Sequence, residues 1–324
     1  MKLFFSCDWG TSTFRLRLVD AVNEKILSEI KTSYGIASAF EAWKQSGKDQ
    51  DERMAFYQSY LLDQLKKLDA SFRQTADIPV VLSGMVSSSI GMRELPYKSL
   101  PFRADGSDLV IQTIPSTADM LPQIIVSGAR SESDVIRGEE TILAGCDIET
   151  NEKEELFILP GTHSKHIRVH NGWVKDISTY MTGELFDLLS NKSILSASVK
   201  RDAQEHASHD RFFADGVKKG ASLNLMNSIF HVRTNQLFGK AGPGENFHYL
   251  SGLLIGHELK ELLESGDTSV TLVCGGELKK AYTLALDVLG AGSKLQFKDS
   301  DIALIRGQKK IMDRIREAPV NDRG

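Results

Sequence analysis

The sequence predicts an α/β protein built from two duplicated lobes, residues 1–150 and 151–324. Three observations lead to this. The chain has 324 residues, about twice the usual single-domain size. It opens with a strand, a small-residue turn and an alternating strand, "LFFSCDWGTSTFRLRLVDAVNEKILSEI", and the same order returns at "ELFILPGTHSKHIRVHNGWVKDIS", with "DWGTST" facing "PGTHSK". Between the copies lies "DIETNEKEE", whose one apolar residue is an isoleucine, as expected of a connection between lobes.

In the first lobe, residues 3–7 form a compact apolar run, Phe14, Leu16 and Leu18 alternate along the next strand, and 26–30 supply a third. Over 54–72, Tyr57, Leu61, Leu65, Leu68 and Phe72 share one helical stripe. "IPVVLSGM" reads as a buried strand running into glycine, followed by the polar loop "VSSSIGMREL". "SESDVIRGEETILAGC" reads as a helix entered at Asp134. In the second lobe, Asn171-Gly172 closes a hairpin, helices are expected near 182–189 and 245–263, and "SVTLVCGGELKKAYTLALDVLG" is a strand broken at Gly275-Gly276 before a helix. "KLQF" and a helix from about Asp301 close the chain, whereas 99–122 and 191–218 show no clear period.

A formal charge of −4 without a basic cluster excludes nucleic acid and anionic membranes as expected partners. The first apolar run is too short for a signal-peptide core, and no stretch approaches the ~20 apolar residues of a membrane span, so a cytoplasmic protein with a small-molecule partner is expected. Cys7, Cys146 and Cys274 lack metal-ligand spacing and read as buried thiols, which leaves a hard cation held by oxygens as the expected metal.

Turns of small residues let backbone N–H groups approach an anion closely. Two such tips across a cleft would clamp a polyphosphate, with Asp8 holding Mg²⁺, a cation that binds through few carboxylates plus phosphate oxygens. Gly275 and Gly276 would let a flat ring or ribose lie against backbone.

The succession "DWGTS", "LPGTHSK" and "CGGEL" resembles the actin, sugar kinase and Hsp70 ATPase superfamily, with its phosphate 1, phosphate 2 and adenosine motifs in order. "DWGTSTFRLRL", "SGMVSSSIGMRELPY", "DVIRGEET", "LPGTHSKHI", "YMTGELFDLL" and "YLSGLLIGHEL" resemble the 2-dehydro-3-deoxygalactonokinases, over residues 8 to about 290. The resemblance implies two ribonuclease H-like lobes of the actin/hexokinase type with an interlobe nucleotide cleft. It also implies MgATP-dependent phosphorylation of the 6-hydroxyl of 2-dehydro-3-deoxy-D-galactonate in bacterial galactonate catabolism. The family segment after "SGM" is often glycine-rich with an arginine and a tryptophan; here it reads "VSSSIGMREL", in the loop expected to border the sugar acid.

By resemblance and turn chemistry, Gly10, Thr11, Ser12, Gly161, Thr162 and His163 contact phosphates, Gly275 and Gly276 the adenosine, and Asp8 the metal. For the base, the superfamily's helix start before the second lobe leaves Asp134 and Glu139 open, with Glu140 a lesser alternative. Arg93, Arg15 and Arg137 are the candidates for the substrate carboxylate, which an arginine fork matches. Lys165 is a candidate to screen phosphate charge. Other readings are a kinase for another sugar acid or amino sugar and a non-kinase ATPase or assembly module. A homodimer is compatible with the sequence, which leaves the oligomeric state open.

Overall fold

The computed structural model describes residues 2–68, 78–148, 152–204, 206–263, 269–292 and 295–317. Two compact units divide it: Met1–Glu152 with Val169–Ile177 and Ser300–Gly324, and Lys153–Arg168 with Ser178–Asp299.

The first unit begins with β1 (Leu3–Trp9), β2 (Phe14–Asp20), β3 (Lys25–Thr32), α1 (Ile36–Gln45), α2 (Arg53–Leu68) and β4 (Val80–Gly84). It continues with β5 (Lys98–Ser99), β6 (Phe102–Arg103), β7 (Ile111–Ile114), β8 (Gln123–Val126), β9 (Ala129–Arg130), β10 (Val135–Ile136) and α3 (Glu139–Ala144). Its sheet runs β3-β2-β1-β4-β8-β7, with β1, β4 and β8 parallel and the meander antiparallel. Central β1 buries Phe4, Phe5, Cys7 and Trp9, and Tyr57, Leu61 and Leu65 of α2, four residues apart, close over the same core.

The second copy has β11 (Glu154–Leu159), β12 (Ser164–His170), β13 (Trp173–Tyr180) and α4 (Thr182–Lys192), then α5 (Ala207–Ser222), α6 (Leu225–Leu237), α7 (Pro243–Leu259), β14 (Ser269–Val273), α8 (Gly276–Val288) and β15 (Leu295–Lys298). The strand order β13-β12-β11-β14-β15 repeats β3-β2-β1-β4-β8, with β11, β14 and β15 again parallel. Asn171 and Gly172 both take positive φ, 50° and 72°, as the expected hairpin turn requires. Helices α5 and α7 touch backbone to backbone: a Cβ on Gly216 would lie 2.2 Å from the Tyr249 carbonyl, and one on Gly252 2.1 Å from the Phe213 carbonyl.

The structure departs from the sequence reading in several places. No helix is entered at Asp134. Residues 129–136 form the β9-β10 hairpin, where Ser131 Oγ accepts from the Ser133 and Asp134 amides (3.2 and 2.9 Å), and α3 starts at Glu139 after Gly138, whose φ of 113° interrupts any helix. The last helix, α9 (Ser300–Glu317), groups with the first unit rather than the second, as does the tip of β12-β13, where Trp173 and Val174 pair with Arg103 and Phe102. The aperiodic 99–122 holds β6 and β7, and 191–218 leads into α5. Phe72 and residues 149–151 of the acidic connection lie outside the described residues. All three cysteines are buried, as expected. Among the described residues, no helix is long and apolar enough to cross a membrane.

Candidate active site

In the first unit, the turn after β1 is closed by Gly10 N–H donating to the Thr13 carbonyl (2.9 Å). The start of α1 sits on this turn: Ile36 and Ala37 donate to the Gly10 and Thr11 carbonyls (2.9 and 3.0 Å), and a Cβ on Gly35 would lie 2.2 Å from the Thr11 oxygen. A trans peptide points its C=O and N–H in opposite directions, so the Thr11 and Ser12 amides face away from α1. Both residues are exposed, and their amides donate to no group among the described residues.

The side chain of Asp8, one residue before the end of β1, makes no hydrogen bond or ion pair among the described residues. Its carboxyl is held above the ordinary range, chiefly by desolvation; Arg15 and Arg17 pull it down, while Asp301 and Glu139 push it up. Gly84, at the end of β4, has φ +88°, and a Cβ there would stand 3.0 Å from the Trp9 carbonyl and 3.3 Å from Asp8 Oδ1. A Cβ on Gly138 would stand 3.4 Å from the Gly84 Cα. Two glycines thus bring the start of α3, and with it Glu139, to the end of β1.

Glu139 Oε2 accepts from the Arg137 amide (2.9 Å). Glu140 is buried, its two oxygens accepting from Gly138 N–H (2.8 and 3.0 Å) and Oε1 from the Thr141 hydroxyl (3.0 Å). Burial, followed by the charge of Glu139, pushes it up to about 7. Helix α9 holds the assembly from beneath. Asp301 pairs with Arg15 and Arg17 (2.5 and 2.9 Å), and Gln308 Nε2 donates to the Cys7 carbonyl and Ser83 Oγ (3.1 and 2.9 Å). Cβ atoms on Gly145 and Gly307 would each lie 1.8 Å from a backbone oxygen of the opposite helix.

The three candidate arginines occupy different settings. Arg137 lies over the Tyr97 ring (4.2 Å to its centroid), and its Nη1 donates to the Ser87 carbonyl and hydroxyl. Its Nε and Nη2 take no partner among the described residues. Arg93 is exposed, with Nε on Gln112 (3.1 Å), and Arg15 is committed to Asp301. Asp134, in the β9-β10 turn, accepts from the Val135 amide (2.7 Å).

The second unit repeats the first turn's support. A Cβ on Gly183 would lie 2.5 Å from the Gly161 oxygen, and Glu184 N–H donates to the Thr162 carbonyl (3.0 Å). His163 Nε2 pairs with the Glu184 carboxylate, and buried Lys165 donates to the His163 carbonyl (2.9 Å). A cavity of about 730 Å³ opens within this unit, lined by Gly161, Thr182 and Gly183 at one side and by Glu277, Leu278 and Lys280 of α8 at another. Gly276, at the head of α8, has φ +58°, and a Cβ there would meet nothing within 4 Å. Gly275 and Gly276 thus leave an open surface where α8 begins.

Among the described residues, no three His, Cys, Asp or Glu side chains are arranged to hold a metal ion by themselves. Asp8 fits a Mg²⁺ that takes one or two carboxylates plus phosphate oxygens: its carboxyl is desolvated and takes no hydrogen bond or ion pair among the described residues.

The sequence reading missed the glycines under the turns, Gly35 and Gly183, as well as Asp301, Gln308 and the buried Glu258. The glycines had a readable signal, since each follows the third strand of its copy at the start of a helix. The α9 contacts join residues about 300 positions apart and carry none.

A family model described as 2-keto-3-deoxy-galactonokinase matches residues 8–311. The chain is 30% identical over 312 residues, 94% of each chain, to a probable 2-dehydro-3-deoxygalactonokinase of Rhizobium meliloti (strain 1021). It is 33% identical over 217 residues, 65% of this chain and 71% of the other, to the 2-dehydro-3-deoxygalactonokinase of Escherichia coli (strain K12). A crystal structure from Sinorhizobium meliloti, assigned to the same kinases, superposes with a TM-score of 0.79 at 29% identity, covering 98% of this chain and 99% of that one. The repeated strand order and this likeness establish the duplicated α/β fold of the sugar kinases, and the chain belongs to the 2-keto-3-deoxy-galactonokinase family.

Proposed function

We propose that this protein transfers the γ-phosphoryl group of MgATP to the 6-hydroxyl of 2-dehydro-3-deoxy-D-galactonate. Family membership supports the reaction class, and one observation carries the chemistry: the close approach of Gly84 and Gly138 brings Glu139, at the head of α3, to the end of β1 where Asp8 stands. Asp8 is the Mg²⁺ residue, and the ion supplies neutralisation of phosphate charge when bound. Glu139 is the base that takes the hydroxyl proton, in preference to Asp134, because the head of α3 stands at the end of β1 whereas Asp134 lies in the β9-β10 turn. Glu140 has its oxygens spent on Gly138 and Thr141 and holds the turn that presents Glu139.

The Thr11 and Ser12 amides, with Gly10, and the Gly161-Thr162-His163 turn bind phosphates. The cavity of the second unit takes the adenosine, with Gly275 and Gly276 directly before its lining residues Glu277 and Leu278. Arg137 binds the sugar-acid carboxylate, because stacking on Tyr97 and bonding to Ser87 fix its plane while leaving Nε and Nη2 to form a two-pronged contact. Arg93 and Arg15 are assigned to the surface and to the Asp301 pair.

The test is ADP release with 2-dehydro-3-deoxygalactonate, its gluconate epimer, galactonate, gluconate, N-acetylglucosamine, glycerol and no acceptor. Turnover is expected to be strongest with the first. Equal turnover without acceptor would overturn the kinase reading, and preference for another acceptor would overturn the substrate.

A further inference from the structure

We infer that Glu258 is a positioning residue that fixes the phosphate turn of the second unit relative to the wall of the nucleotide cavity. Glu258 projects from α7 into the interior, 2% exposed, and its carboxylate collects four donors. Oε1 accepts from Ser164 Oγ (2.7 Å) and His166 Nε2 (2.9 Å). Oε2 accepts from Tyr282 OH (2.7 Å) and the Thr182 hydroxyl.

The origins of the donors define the role. Ser164 is the first residue of β12, directly after Gly161-Thr162-His163. Thr182 precedes Gly183, which packs on the Gly161 carbonyl and Thr162. Both sides of the turn therefore hang on one carboxylate. Tyr282 belongs to α8, the helix that begins at Gly276. Burial and the Glu258 charge push its phenol far above the usual range, so it remains a donor. Gly161, Thr182 and Tyr282 line the same cavity, whereas Glu258 and Ser164 do not. A buried carboxylate is costly unless fully hydrogen-bonded, and here each oxygen takes two donors.

The inference rests on reading this cavity as the nucleotide site. It predicts that Glu258 matters for ligands spanning turn and cavity, and little for those filling the cavity alone. Dissociation constants for ATP and for adenosine are to be measured on the full chain for wild type, Glu258→Gln and Ser164→Ala. In Glu258→Gln the ATP constant is expected to rise at least about tenfold while that for adenosine stays within about twofold; Ser164→Ala, which removes one donor, should move the same ratio less. Neither residue lines the cavity; Thr182 and Tyr282, which Glu258 holds, do, so an effect passed through the cavity wall would weaken adenosine as well, and only one passed through the turn changes the ratio. A constant ratio in the folded variants, or equal loss of both ligands, would overturn the inference. Ser164→Ala keeps the test decisive should Glu258→Gln fail to fold. Wild type that binds both ligands but phosphorylates no sugar acid would overturn the kinase reading, and the ratio would still decide the role of Glu258.

Discussion

The two turns share a backbone device and differ in where charge is placed. In each copy a glycine, Gly35 or Gly183, packs on the turn carbonyls, and the helix at that glycine donates to them, from Ile36 and Ala37 in the first copy and from Glu184 in the second. Two residues before the shared Gly-Thr, however, the first copy has Asp8, whose carboxyl takes no hydrogen bond or ion pair among the described residues, and the second has buried Leu159. The buried carboxylate of the second copy, Glu258, is satisfied from four directions. On the proposed assignment, the first of the two turns serves the metal and the reacting hydroxyl and the second holds nucleotide, and the difference in local charge is what separates them.

Asp8→Asn should break this asymmetry most severely. Phosphoryl transfer is expected to fall by on the order of a thousandfold or more, because charge neutralisation dominates this chemistry. Stability should not fall with it. The folded-state pKa of Asp8 is raised, so ionisation at neutral pH works against the fold, and removing the charge leaves the melting temperature equal or higher. ADP release and thermal unfolding at pH 7.5 decide the matter; a lowered melting temperature would make Asp8 structural.

Glu140 sharpens the contrast within the first unit. Its pKa rises from 4.5 to about 7, so the stability it contributes is fully present below 4.5 and lost as pH climbs to about 7. The shift corresponds to about 3 kcal/mol. Glu140→Gln keeps an acceptor for Gly138 and should therefore be more stable than wild type at pH 8, with little difference at pH 4.5. Urea unfolding at the two pH values tests this, and parallel curves for the two proteins would refute it.

Much of this organisation was legible in the chain. The strands, the Asn171-Gly172 hairpin and the duplication followed from alternation and turn chemistry, which are local signals. For the base the sequence left Asp134 and Glu139 open, with Glu140 a lesser alternative, and starting α3 at Asp134 missed a two-residue strand pair closed by the Ser131 hydroxyl. The clamp of α9 on β1, β2 and α3 was not legible, because an amphipathic helix declares that it has a partner without naming it. The buried acceptor Glu258 was hidden for a related reason: its donors come from β12, α4 and α8.

Gly35→Ala and Gly183→Ala test whether the shared device is equally needed in both copies. Each new methyl would stand within 2.5 Å of a turn carbonyl, so each should destabilise by about 1–3 kcal/mol, with the larger effect at Gly35, where the approach is 2.2 Å. Denaturant midpoints at constant slope measure this. A neutral Gly183→Ala would show that the second turn relaxes where the first does not.

The smallest effect is expected at Arg93. It sits beyond β4 in the loop that sequence reasoning linked to the sugar acid, yet it is exposed and holds only Gln112. Arg93→Ala should change stability by less than about 0.5 kcal/mol. The Michaelis constant for the sugar acid should move by less than about twofold, since an exposed polar contact is worth little. Arg137 differs in that its guanidinium is oriented before any substrate arrives, by the Tyr97 ring on one face and Ser87 at one edge. Preorganisation of this kind lowers the ordering cost of binding a planar carboxylate, which Arg93 would meet in full. A tenfold or greater rise in the Michaelis constant on Arg93→Ala, with kcat unchanged, would therefore move the carboxylate site from Arg137 to the loop and reverse the assignment.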